Sequence, residues 1–167
     1  MEQEKKTGLN QSSENVEDNN LKEYFFKEID LIQGVMNRMA RNSFMIKGWS
    51  LTVVGIASSL NLASSKSEVL CVGIPIVCIF FWFLDDFYLR TERKYRALYN
   101  DVVDKYNQKK YDQINWFSLS TADYEYDPAV GSLKTVMFSK TILPFYLFLI
   151  FVSALLLIAS LFWGGTH

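Results

Sequence analysis

The chain has 167 residues, half of them hydrophobic, and a net charge of −1 at pH 7. That length suits one domain, and a charge so near zero singles out neither an acidic nor a basic partner. One histidine, His167, and two cysteines, Cys71 and Cys78, leave almost nothing from which to build a metal cluster or histidine-based catalysis.

The apolar residues are not spread at the spacing of a soluble core. They gather in three runs, 48–65, 69–84 and 141–163, with charged sequence between them. The pattern predicts an all-α membrane protein with three transmembrane helices, the first two continuing as long cytoplasmic helices, and a small aromatic-rich cytoplasmic cap. In chain order, residues 1–20 hold five acidic residues against Lys5 and Lys6 and are expected to be a disordered cytoplasmic tail. No cleavable signal peptide is expected, because the first span can itself act as the membrane signal.

From Leu21 the apolar residues fall at Leu21, Phe25, Ile29, Ile32, Met36 and Met39, one face of a helix over 21–47, with Gly34 and Gly48 as weak points. The first span, 48–65, is the least apolar: it contains Ser50, Thr52, Ser58, Ser59 and Asn61. A tight turn around Lys66 leads to the second span, 69–88, in which Cys71 and Cys78 are separated by about 10 Å of helix rise, too far for a disulfide, and read as packing residues. That helix is expected to continue over 89–106, where Tyr88, Tyr95, Tyr99, Val102 and Tyr106 recur on one face. The two cytoplasmic extensions would be about 40 Å and 33 Å long. They would pair as a stalk or lie separately on the membrane surface. Residues 107–139 carry Tyr111, Trp116, Phe117, Tyr124, Tyr126 and Phe138, with a turn at Asp127-Pro128, and are expected to form a compact cap. A third span, 141–163, and a short external tail, 164–167, complete the chain. Ser153 and Ser160 are the only polar residues deep in this span.

Orientation follows from the basic residues. Arg90, Arg93, Lys94, Arg96, Lys105, Lys109, Lys110, Lys134 and Lys140 lie between the second and third spans, and Arg38, Arg41 and Lys47 precede the first, against Lys66 alone on the other side. The positive-inside rule places the amino end in the cytoplasm and the carboxyl end outside a bacterial inner membrane. Trp49 and Trp163 sit near span ends, where interfacial aromatics belong.

Arg90, Arg93 and Lys94 share a helical face, as do Arg38 and Arg41 on the other extension. They would anchor the chain to anionic headgroups, or bind an anionic ligand such as a nucleotide or nucleic acid. Asp85 and Asp86, at the cytoplasmic end of the second span, would favour cations in a ring of subunits, or pair with Arg90, Arg41 or Lys47. Gly48, Thr52, Gly55 and Ser59 form a small-residue stripe suited to close helix approach or to lining water. The candidate pore lining is therefore Thr52, Gly55, Ser59, Asp85 and Asp86, and the candidate ligand set is Arg38, Arg41, Arg90, Arg93 and Lys94. No phosphate loop, HExxH or nucleophile–base spacing is present, so neither an enzyme nor a cofactor is expected.

Two stretches, Asn37-Arg38-Met39-Ala40-Arg41-Asn42-Ser43-Phe44-Met45-Ile46-Lys47-Gly48-Trp49 and Phe81-Trp82-Phe83-Leu84-Asp85-Asp86-Phe87-Tyr88-Leu89-Arg90-Thr91-Glu92-Arg93, the latter running on to Tyr99, carry a resemblance across roughly residues 30 to 105. They resemble a family of small bacterial membrane proteins from anti-phage defence loci, the channel-forming effectors of the Hailong system. The resemblance implies a homo-oligomeric channel, favouring a tetramer, whose opening damages the membrane potential of an infected cell. It also implies control by single-stranded DNA oligomers or a related nucleotide, made by a nucleotidyltransferase-like partner enzyme and held in a cytoplasmic vestibule. The competing expectation is a non-conducting adaptor whose cytoplasmic helices dock a partner protein. A small transporter is disfavoured, because no charged residue lies at the midplane of a span.

Overall fold

Four α-helices and two single 3-10 turns make up the regular structure, and no strand occurs among the described residues. The structure is a computed structural model that describes residues 2–63 and 68–163, with side-chain surroundings for 16–60, 73–155 and 158. The expected turn at Lys66 and tail at 164–167 lie outside the described residues, as do the side chains of Asn61, Cys71, Ser160 and Trp163.

Helix α1 spans Glu2–Ala63, 62 residues without a proline. It includes the segment expected to be a disordered tail. Acidic residues suit the positive end of a helix, and extending an existing helix costs far less than starting one. Exposed pairs Asp18–Lys22 at 2.5 Å and Glu23–Lys27 at 2.6 Å, each one turn apart, support its solvated face.

Helix α2 spans Glu68–Asn107 and runs unbroken through Asp85 and Asp86. It packs along α1, and the contact divides into two cores. In the polar half, Ile32 on α1 meets Leu98 and Val102 on α2, with Phe25, Ile29, Met36, Tyr95, Tyr99 and Tyr106 around them. Phe25 stacks on Tyr106 with ring centres 3.8 Å apart. These are the apolar faces anticipated from the periodicity. They cover each other, as a two-helix stalk requires.

The end of α2 is a Schellman motif. The Lys110 amide donates to the Lys105 carbonyl at 2.9 Å and the Lys109 amide to the Tyr106 carbonyl at 3.0 Å, with Lys109 left-handed at φ 57°. The chain then turns back along α2 as an extended strap over 108–142. Partner positions on α2 fall as the strap number rises: the Tyr124 hydroxyl donates to Asp101 at 2.8 Å, Glu125 pairs with Lys94 and Arg90, and the Trp82 indole donates to the Met137 carbonyl at 3.1 Å. The expected compact cap is thus a strap laid lengthwise on the stalk. Its aromatic residues Tyr111, Trp116 and Tyr124 find cover on the stalk rather than on each other. The Asp127 carboxylate accepts from the Ala129 amide at 2.7 Å, closing the turn expected at Asp127-Pro128.

A short helix, α3 (Leu133–Met137), leads into α4 (Leu143–Trp163). Here lies the second core, built from Val54, Ile74, Cys78, Trp82, Val136, Ile142, Tyr146 and Leu149. Trp82 and Tyr146 stack with ring centres 5.9 Å apart. The outer surface of this half is also apolar: Leu51, Ile56 and Leu60 on α1, Ile76, Ile79, Phe80 and Phe83 on α2, and Leu147, Phe148, Phe151, Leu155 and Ile158 on α4 are all exposed. Among the described residues one helix, α1, is long and apolar enough to cross a membrane by length and composition.

Candidate functional site

A buried stripe on α1 fixes what the rest of this part of the helix can present. Ile46, Ser50, Val54 and Ser58 face α2 and α4, so Gly48, Thr52, Gly55 and Ser59 face outward. The outward stripe lies on the side of α1 away from α2 and α4. A Cβ added at Gly48 or Gly55 would meet nothing within 4 Å. The Thr52 hydroxyl donates to the Gly48 carbonyl and the Ser59 hydroxyl to the Gly55 carbonyl, both at 2.9 Å. Such back-bonding satisfies a hydroxyl in apolar surroundings, so these groups carry no demand for water.

Asp85 and Asp86 do not join that stripe. They are 0% and 1% exposed within a single chain. In this packing both lie inside the protomer, away from the stripe that carries Thr52, Gly55 and Ser59, with Asp85 in the contact between α1 and α2. Asp85 instead ties α2 to α1: Lys47 pairs with it at 2.6 Å, and the Ser43 hydroxyl donates to it. Lys47 also donates to the Ser43 hydroxyl at 3.0 Å. The Asp86 carboxylate keeps one oxygen, Oδ1, without a hydrogen-bond partner among the described residues.

The basic cluster on α2 is engaged as well. Arg90 pairs with Glu125 at 2.9 Å, and its Nε donates to the Gly131 carbonyl at 3.3 Å. Lys94 holds the other oxygen of Glu125. Arg93 donates to the Val130 carbonyl at 3.5 Å. The Lys94 hydrogen bond is the main reason the Glu125 carboxyl sits below its usual range, with burial opposing and the charge of Arg90 assisting. These three cations hold the strap, and are not a free basic face. Arg38 and Arg41 on α1 are exposed and form no ion pair among the described residues. Arg38 and Arg41 thus stand exposed on α1, while Arg90, Arg93 and Lys94 on α2 are bonded to the strap.

Two carboxylates with structural roles escaped the sequence reading. Glu28 is fully buried under the strap, where its Oε2 accepts from the Phe117 amide at 2.5 Å while Oε1 has no partner among the described residues. Phe117 has φ 60°, a costly conformation for an aromatic residue, and Tyr24 packs edge-on against its ring. Burial raises the Glu28 carboxyl above its usual range, against a smaller opposing effect of that amide. The signal was present: position 28 lies three after Phe25 and four before Ile32, inside the apolar stripe. Glu125 gave no such sign, because its partners are 31 and 35 residues away. Among the described residues no cluster of three or more potential metal ligands occurs.

Comparison with protein-family models, curated proteins and solved structures gives no match to this chain.

Proposed function

We propose that this chain is a three-span bacterial inner-membrane protein whose copies associate through the outward stripe of α1 to form an ion channel. The carrying observation is that Gly48 and Gly55 face away from the protomer with nothing against them. Glycine within a helix costs about 1 kcal/mol relative to alanine, and nothing inside this chain needs the space. A neighbouring helix would use it: Gly48, Thr52, Gly55 and Ser59 recur at intervals of 4, 3 and 4, the seam along which close-packed membrane helices meet. The exposed apolar band on α1, α2 and α4 supports a lipid setting, since soluble monomers rarely expose contiguous apolar patches beyond a few hundred Å². The 21 residues of α4 give about 31 Å of rise, the thickness of a bilayer core.

The resemblance extends the reading to an antiviral effector, favouring a tetramer, gated by a single-stranded DNA or nucleotide ligand from a nucleotidyltransferase-like enzyme. Of the five candidate ligand cations, Arg38 and Arg41 are the two that stay exposed. Replacing Gly55 by leucine should abolish conductance in planar bilayers and shift the detergent-solubilised protein toward monomer. Unchanged oligomer and unchanged current would reject the proposed seam.

A second reading, a non-conducting adaptor, draws on the polar half. Tyr24, Phe26 and Phe117 are exposed there, 45%, 67% and 50% respectively, and suit a protein partner. That reading requires no current at any protein density.

A further inference from the structure

The cation pair that grips the strap has the form of an anion site. Helix α2 places Arg90 and Lys94 one turn apart on one face, and each takes a different oxygen of Glu125. Two cations sharing two oxygens of one anion is also how a phosphate ester is held, and charge-assisted bonds of this kind are the strongest available to it. Beside Arg90 opens a cavity of about 590 Å³, with Arg90, Glu125, Tyr126, Asp127, Ser132 and Lys134 in its wall. The charges facing the pair from its neighbours are few. Arg93 adds a third cation, bonded only to a carbonyl of the strap. Asp86 lies one turn earlier on α2, and the Asp127 carboxylate of the strap is bonded to its own turn. Removing Glu125 would leave three cations with Asp86 and Asp127 as the opposing charges. The Glu125 side chain is 37% exposed, so exchange with an incoming anion needs no unfolding of the helices.

We propose that Arg90 and Lys94 form a phosphate-binding site that Glu125 fills from within the chain, so that a phosphate-bearing ligand displaces the carboxylate and frees the strap. This rests on the proposal of a channel gated by a phosphate-bearing ligand, and it adds Arg90 and Lys94 to Arg38 and Arg41 as cations for that ligand, with Glu125 as its competitor. The chemistry is that of a phosphate ester anion, supplied either by a soluble nucleotide or by a lipid headgroup.

The full chain would be placed in nanodiscs of phosphatidylcholine and titrated with a fluorescent short oligothymidylate. A self-occupied site binds with an affinity reduced by the fraction of time it is open. Occupancy by Glu125 for nine-tenths of the time predicts that Glu125→Gln binds the probe about tenfold more tightly than wild type. Arg90→Ala with Lys94→Ala should lose it. Equal affinity of Glu125→Gln and wild type overturns the proposal. Should Glu125→Gln fail to fold, the native chain supplies the test. The probe should accelerate tryptic cleavage after Lys134, whereas chloride at matched ionic strength should not, and an unchanged rate overturns the proposal. Repeating the titration with phosphatidylglycerol in the disc separates the sources. Competition with the probe assigns the site to headgroups, and its absence assigns it to soluble phosphate. Both measurements are of binding, so they stand apart from current. Loss of the channel reading would show as absent conductance with the displacement intact.

Discussion

At Glu28 a carboxylate lies buried beneath a strained turn, bonded through one oxygen and unpartnered at the other. Its pKa is raised on folding, so the folded chain takes up this proton before the unfolded chain does. Stability therefore falls as pH rises from the unfolded value of about 4.3 through the folded value, and the deficit persists at neutral pH. Glutamine keeps an acceptor for the Phe117 amide and removes the charge. Glu28→Gln should stabilise the protein by about 1 kcal/mol near neutral pH, because it removes the buried charge while its NH2 inherits the unpartnered position. The advantage should vanish below about pH 4, where the wild-type carboxyl is itself neutral. Thermal unfolding in detergent at both pH values measures this, and a gain that persists in acid would mean that burial of the charge is not the cause. Glu125 has the opposite sign. Its lowered pKa gives stability that is present above the usual carboxylate range and lost as pH falls through the folded value.

Between α1 and α2 the decisive contact is Lys47–Asp85, with Ser43 bridging the two. Removing one member leaves a buried charge unpaired, at a cost of about 3–5 kcal/mol, whereas replacing both by apolar residues is often neutral. Asp85→Asn should therefore destabilise the helix pair strongly, and Lys47→Met with Asp85→Leu should recover most of the loss when unfolding is followed in mixed micelles. A lining role would give the contrary pattern, with altered cation selectivity at unchanged stability. The sequence separated the helices well, because apolar periodicity is local: the stripe from Phe25 through Met36 is visible without knowing what it touches. It also placed Gly48, Thr52, Gly55 and Ser59 on one face. It could not tell which face of α2 carried Asp85 and Asp86 inward, since that depends on where α1 sits. Nor could it show that Arg90, Arg93 and Lys94 were already engaged, because Glu125 and the carbonyls of Val130 and Gly131 come from a strap without regular periodicity, more than thirty residues further on.

For the whole molecule, the partition into a half with exposed aliphatic and aromatic side chains and a half with solvated charge sets up a test of topology. The basic residues 90–110 and the exposed Arg38 and Arg41 belong to the polar half, and the strap returns along it before α4 begins. If that half is cytoplasmic, α1 and α2 cross the bilayer as a hairpin and α4 must end on the opposite side from where it begins, giving three crossings. Replacing both native cysteines by serine allows single cysteines to report side. Cysteine in place of Arg41, Lys109 or Lys140 should react with a membrane-impermeant maleimide only after cells are opened, whereas cysteine in place of His167 should react in intact cells. Labelling of positions 140 and 167 from the same side would leave α4 as a helix that does not cross, and would remove the lipid-facing role assigned to Leu147, Phe148 and Phe151. The exposed apolar band would then have to be covered by protein, which would turn the argument from a channel toward an assembly of soluble subunits.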